Sequence, residues 1–100
     1  MLSILIPTYN YDCYDLVYEL HRQATELIIE FEIIVADDCS NTELSRLQLI
    51  NQLPNSKLIK PQHNLGRAKI RNFLADKSHY NYLLFLDSDS YPADNNFIKK

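Results

Sequence analysis

Two aspartates one residue apart, Asp87 and Asp89, close the apolar run Tyr82-Leu83-Leu84-Phe85-Leu86. In an extended chain, residues two apart point to the same side with their Cα atoms about 6.5–7 Å apart. Carboxylates placed that way repel each other unless a cation or a hydrogen-bond donor stands beside them. A hard divalent cation, which prefers oxygen ligands, is one natural occupant. The same residues also suit a plain polar turn, since Asp and Ser are common turn formers.

Asp87 and Asp89 have counterparts elsewhere in the chain. Asp37 and Asp38 end a second apolar run, Glu32-Ile33-Ile34-Val35-Ala36, and Thr8 and Tyr9 follow a first one, Leu2 to Ile6. If the three runs are parallel strands, their polar ends meet at one rim, where open α/β sheets bind ligands. Arg67, Lys69 and Arg71 add a basic group to the first two turns of an expected helix. Cations there oppose the helix dipole at a cost of a few tenths of a kcal/mol each, up to about 1. Basic side chains at such a terminus bind phosphate. Lys69 is expected to lean into solvent. For Arg67 and Arg71, an anion contact and a pairing with an aspartate are both open.

The elements that must position these groups can be read from periodicity. Unbroken apolar runs suit strands covered on both faces. Four are expected: Leu2 to Ile6, stopping at Pro7; Glu32 to Ala36; a short third, Lys57 to Lys60, near an edge because of its lysines; and the run that begins at Tyr82. Between the first and second, Asp12 can cap a helix starting at Cys13 or Tyr14, with Leu16, Val17, Leu20, Ala24 and Leu27 on one face. Ser40-Asn41-Thr42-Glu43 has the form of a capping box. The helix it opens should bury Leu44, Leu47 and Ile50 and end before Pro54. A third helix is expected from about Leu65 to Lys77, with Ala68, Phe73 and Leu74 inside, and Asn95 to Lys100 reads as the first turn of another. Alternating strands and helices give a parallel sheet with right-handed crossovers.

Composition sets the outer bounds. The 100 residues make one small domain, 1–100, with 46% hydrophobic and 23% charged residues, as in a soluble globular protein. No run approaches the ~18 uncharged apolar residues of a membrane span. The amino terminus lacks a basic region and a cleavage site, so no signal peptide is expected. Two cysteines, Cys13 and Cys39, are too few for a disulfide scaffold and match no zinc spacing. They follow the first two strands and so are expected near each other, reduced and without special role in a cytosolic setting. His21, His63 and His79 are scattered and none reads as a ligand. Lys57 to Lys77 holds six of the ten basic residues and one acid, in a chain of net charge −3. That local cluster suits a small anion better than a nucleic acid.

Taken in order, Ser3-Ile4-Leu5-Ile6-Pro7-Thr8-Tyr9-Asn10, then Glu32 through Ser40, then Asn64-Leu65-Gly66 with Arg71-Asn72, then Leu86-Asp87-Ser88-Asp89 resemble the motifs of family-2 glycosyltransferases with the GT-A fold. The resemblance covers nearly the whole chain. It implies an α/β three-layer sandwich, a Rossmann-like half with a mostly parallel sheet of about four strands in the order 3-2-1-4. It also implies a nucleotide-diphospho-sugar donor of UDP- or GDP-sugar type. Pro7, Thr8 and Tyr9 would line the base pocket, with Tyr9 stacked on the base. Asp38 would accept from the base and Asp37 would support the ribose side. Arg67 or Arg71 would lie near base or phosphates. Asp87 would approach the ribose, and Asp89, with Asp87, would bind Mg²⁺ or Mn²⁺ across the diphosphate.

Such a metal stabilises a departing diphosphate as a Lewis acid. The acceptor, a glycan or a lipid-linked group, and the catalytic base would lie beyond Asp89. The expectation is therefore a truncated amino-terminal half that binds nucleotide weakly, does not turn over alone and is prone to self-association over its bare surface. The expected location is the cytosol, with the inner face of the membrane as the alternative. Cys39 stands where the family usually has Gly or another small residue, and Ser90 where an acid is frequent. A sugar nucleotidyltransferase uses a related sheet but carries a Gly-rich loop after the first strand. Here that loop is Pro7-Thr8-Tyr9-Asn10, and the chain has one Gly, Gly66. A phospho-acceptor receiver wants its acid pair after the first strand, which is absent. A non-catalytic nucleotide-binding module is the remaining alternative.

Overall fold

The computed structural model describes residues 2–27, 29–40 and 45–88. Four parallel strands, β1 (Leu2–Thr8), β2 (Phe31–Asp37), β3 (Ser56–Ile59) and β4 (Tyr82–Phe85), form one sheet in the order β3-β2-β1-β4. Helix α1 (Tyr14–Leu27) connects β1 to β2, a 3-10 helix (Ser45–Gln52) lies between β2 and β3, and α2 (Gly66–Lys77) connects β3 to β4. The expected fold class and strand order are those observed.

Strand alternation decides which side chain faces which helix. Ile4 and Ile6 of β1 join Ile33 and Val35 of β2 in a core with Leu16, Val17, Leu20 and Ala24 of α1 and Leu47 and Ile50 of the 3-10 helix. Leu5, Ile34 and Ala36 turn to the other face and meet Ile70 and Leu74 of α2. The sheet is thus sandwiched, with α1 and the 3-10 helix on one side and α2 on the other. That arrangement follows from topology. Two crossovers lead from β1 outward through β2 to β3, and the third returns across the sheet to β4, so right-handedness puts its helix on the opposite face. The point of reversal lies between β1 and β4, where such sheets open a crevice at their carboxyl ends.

Several expectations are corrected at this level. β1 runs through Pro7 to Thr8 instead of stopping at Pro7. The reason is local. Leu5 accepts from Leu86 N at 3.1 Å on the β4 side, whereas Thr8 accepts from Asp38 N at 2.8 Å on the β2 side. By alternation Pro7 faces the β4 side, where β4 has already ended at Phe85, so its missing N–H leaves no ladder bond broken. The second helix is 3-10, not α: Leu47, Ile50 and Leu53 pack inward at a spacing of three, the 3-10 period. Residues 41–44, the rest of the capping box after Ser40 together with Leu44, lie outside the described residues, as does the helical turn expected at Asn95 to Lys100.

In α2 the inner residues are Ile70 and Leu74, with Phe73 half-buried. Ala68, expected inside, is exposed. β4, expected to be covered on both faces, is an edge strand among the described residues, and its Tyr82 and Leu83 are 74% and 41% exposed. The other edge, β3, is the one expected from its lysines. Asn51 Oδ1 accepts from Leu58 N at 2.9 Å there, which satisfies part of that edge. Asp12 Oδ1 accepts from Tyr14 N at 2.9 Å, the cap expected for α1.

Candidate functional site

The carboxyl ends of β1 and β4 and the start of α2 enclose a cleft of about 700 Å³. Its walls include Pro7, Thr8, Tyr9 and Tyr11 from the end of β1 and the loop after it, Asp38 from the end of β2, and Asp87 and Ser88 beyond β4. Asn64, Gly66, Arg67, Ile70 and Arg71 complete it from α2 and the approach to it. This is the switch point of the sheet, and the volume is that of a site for a molecule of drug or nucleotide size.

Of the expected site residues, Pro7, Thr8, Tyr9, Asp38, Arg67, Arg71 and Asp87 therefore share one cleft. Asp89 lies outside the described residues. Asp37 is not among the residues that line the cleft. Ile33 and Val35 face α1, so Asp37 falls on that face while Asp38 falls on the α2 face. Asp37 Oδ1 instead accepts from Ser40 N at 3.0 Å and from the Ser40 hydroxyl, closing the turn after β2.

Asp38 has a structural task that its sequence position hides. It is 5% exposed, and its two carboxylate oxygens accept from Leu65 N at 2.7 Å and Gly66 N at 2.9 Å. These are the first free amides of α2, whose own N-cap residue, Leu65, offers no side-chain bond. A carboxylate there also complements the positive end of the helix dipole. Asn64 Nδ2 donates to the Asp38 carbonyl at 2.9 Å, so the approach to α2 is stitched to the end of β2 twice over. Gly66 has φ +81, a backbone state that glycine adopts without penalty, and this turn brings its N–H onto Asp38.

Two further non-glycine residues at this rim hold left-handed backbones, Asn10 at φ 54 and Cys39 at φ 58. Cys39 thus occupies a conformation that favours glycine, in keeping with the Gly or other small residue that the resemblance leads one to expect there. Its Sγ donates to the Pro61 carbonyl at 3.4 Å.

Aromatic and cationic side chains both line the cleft. Tyr9 and Tyr11 are 48% and 46% exposed, each presenting much of its ring. Thr8, buried, donates its hydroxyl to the Tyr11 carbonyl at 2.8 Å and so folds the loop that carries both rings. Arg71 holds its guanidinium carbon 4.5 Å from the centre of the Phe85 ring. That cation–π contact orients the side chain without neutralising it. Among the described residues neither Arg67 nor Arg71 enters an ion pair. Asp87 is likewise exposed and without an ion pair among the described residues. The cleft can therefore offer flat rings to a base, guanidinium groups to phosphate, and a carboxylate oxygen to a hard cation. No group of three metal-ligating side chains occurs among the described residues.

The opposite rim of the sheet behaves differently. Glu32 accepts there from the Ser3 hydroxyl and His79 N, both at 2.6 Å, and lies 2.8 Å from His79 Nδ1. Burial works against its charge, but the bonds from Ser3 and His79 outweigh that and hold its pKa below the ordinary value. Sequence reading gave His79 no role, and its partner is 47 positions away. Cys13 and Cys39 are both free thiols. Burial, then the charge of Asp12, pushes the Cys13 thiol up to about 12.

A family model described as glycosyl transferase family 2 matches residues 3–100. The chain is 33% identical over 95 residues to the poly(ribitol-phosphate) beta-N-acetylglucosaminyltransferase TarS of Staphylococcus aureus, covering 89% of this chain and 16% of that protein. The crystal structure of S. aureus TarS 1-349 in complex with UDP superposes with a TM-score of 0.68 at 29% identity, over 90% of this chain and 28% of that one. The mannosyltransferase PcManGT from Pyrobaculum calidifontis, solved in complex with GDP-Man and Mn²⁺, shares the fold with a TM-score of 0.72 at 18% identity, over 95% and 29% of the two chains. The chain thus spans less than a third of each of these proteins.

Proposed function

Because the chain belongs to glycosyl transferase family 2, we propose that its cleft binds the nucleotide-diphosphate part of a sugar donor, as the first half of a transfer site. The observation that carries this reading is the convergence of Tyr9, Asp38, Arg67, Arg71 and Asp87 on one cleft at the sheet's switch point. Two relatives give it support: a similar protein is known in complex with UDP, and a fold neighbour with GDP-Man and Mn²⁺.

In this reading Tyr9 stacks on the base. Asp38, with each carboxylate oxygen holding one backbone amide, keeps lone pairs that accept from a base N–H. Arg71, steadied on Phe85, and Arg67 meet the diphosphate. Asp87 takes the ribose side or shares a cation. A Mg²⁺ or Mn²⁺ ion fits this donor set, because such ions bind through one or two carboxylates plus substrate phosphates, with no protein cage. Asp87 and Asp89 are the residues that would hold it. When bound, the ion would neutralise charge on the leaving diphosphate. The arginines add to that stabilisation as fixed positive groups aimed at the leaving group. Neither the acceptor nor the catalytic base is assigned to a described residue.

The test is a panel of UDP- and GDP-sugars incubated with the full-length protein and Mn²⁺, reading release of the nucleoside diphosphate with and without candidate glycan and lipid-linked acceptors. Release that depends on one base and on Arg71 supports a transferase. Tight nucleotide binding with no release under any acceptor would favour a binding module.

A further inference from the structure

We propose that Ser40, which does not line the cleft, is a positioning residue for nucleotide binding, acting through the loop that carries Tyr9. The inference rests on the nucleotide reading of the cleft and adds a residue to it. Asn10 N donates to Ser40 Oγ at 2.7 Å, across 30 positions of sequence. The Ser40 hydroxyl in turn donates to Asp37 Oδ1, as does Ser40 N at 3.0 Å. The direction of this chain is fixed by chemistry. An ionised carboxylate only accepts, so the single hydroxyl proton of Ser40 goes to Asp37, and the oxygen's lone pairs face Asn10. A hydroxyl bonded to a carboxylate is also a better acceptor for the next donor in line. Asp37 is itself fixed as the last residue of β2, in register with Thr8.

The loop needs such an anchor. Asn10 sits at φ 54, in the left-handed region that a non-glycine residue occupies at a cost of about 1 kcal/mol or more. Tyr9, the residue before it, is 48% exposed. Its aim therefore depends on the backbone beneath it, which is held on one side by Thr8 bonding to the Tyr11 carbonyl and on the other by Ser40 bonding to Asn10. The unused role of Asp37 is explained at the same time: it stands behind Ser40 instead of touching ligand.

The experiment is calorimetric titration of the intact protein with UDP and with GDP, each with Mn²⁺. It compares wild type, Ser40→Ala, Ser40→Thr, Ser40→Cys, Tyr9→Leu and the Ser40→Ala/Tyr9→Leu double variant, each checked for a wild-type circular dichroism spectrum. The expected result is a five- to tenfold weaker Kd for Ser40→Ala, the scale of one lost charge-relayed hydrogen bond. Ser40→Thr should bind within about twofold of wild type, because it keeps the hydroxyl. In the Tyr9→Leu background, Ser40→Ala should change Kd by less than about twofold, because the two act as one unit. Should Ser40→Ala fail to fold, Ser40→Cys carries the same expectation of weakened binding, since a thiol is a poor acceptor. Wild-type binding with Ser40→Ala unchanged would overturn this inference alone. So would an effect of Ser40→Ala that persists in full without the Tyr9 ring. Absence of binding by the wild type to either nucleotide would overturn the nucleotide reading together with it.

Discussion

Removing the Asp38 carboxylate should loosen α2 before it changes anything else. In Asp38→Ala, the amides of Leu65 and Gly66 lose acceptors at 2.7 and 2.9 Å, and no side chain of the N-cap residue replaces them. A hydrogen bond to a charged group contributes about 1.5–3 kcal/mol, but both amides here share one carboxylate and gain partial access to water in the cleft. Loss of an N-cap elsewhere costs about 0.5–2 kcal/mol, and loss of the favourable charge at the helix end adds about 0.3–1. The combined expectation is about 2–4 kcal/mol, a large share of the roughly 5–15 kcal/mol that stabilises an ordinary domain. Asp38→Asn keeps one carbonyl oxygen and should lose about half as much. Urea unfolding followed by circular dichroism reads this directly. With a slope of about 2 kcal/mol per molar, the alanine midpoint should fall by ~1–2 M and the asparagine midpoint by clearly less. A midpoint shift under about 0.3 M for Asp38→Ala, at unchanged slope, would mean that the carboxylate is not holding the helix and would refute the argument.

Two further predictions concern the rest of the fold. Glu32 has a lowered pKa in the folded state, so its contribution to stability is present above the ordinary carboxylate range and is lost as pH falls through the folded value. Urea midpoints measured at pH 7 and at successively lower pH should therefore fall with acidification, and the fall should be shallower in Glu32→Gln, which starts lower at pH 7. Cys13, buried and with its thiol pushed up to about 12, should resist a thiol reagent at pH 8, whereas the partly exposed Cys39 reacts. Counting modified thiols by mass spectrometry should give one under native conditions and two in denaturant. Modification of Cys13 first would contradict the packing of α1 on the sheet.

Much of the fold was legible because its signals are local. Four apolar runs separated by helical spacings give the strand–helix order, and right-handed crossovers give the sheet. Acids and aromatics at the strand ends then had to meet at one rim, as Tyr9, Asp38 and Asp87 do. What stayed hidden is non-local or depends on a period that is easily misread. Leu47, Ile50 and Leu53 fit a spacing of three as well as a helical face, and packing chose the 3-10 form. The two roles of the Asp37-Asp38 pair follow from strand alternation, but only once α1 and α2 are known to lie on opposite faces. The cap of α2 comes from Asp38, 27 positions before Leu65, so no capping motif near Leu65 announces it. The pairing of Glu32 with His79 is hidden for the same reason. Tyr82 through Phe85 read as a covered strand because apolar content says nothing about which edge of a sheet a strand occupies.

The account stands on the cleft at the carboxyl rim being where a nucleoside diphosphate binds. Its most direct measurement is an amide ¹H–¹⁵N spectrum titrated with UDP and then GDP in the presence of Mg²⁺. Saturable shifts are predicted for Thr8 to Tyr11, Asp38 to Ser40, Asn64 to Arg71, and Asp87 with Ser88, and none for Glu32, Ser56 or His79 at the far rim. Shifts centred on that far rim, or no saturable shift with either nucleotide, would contradict it.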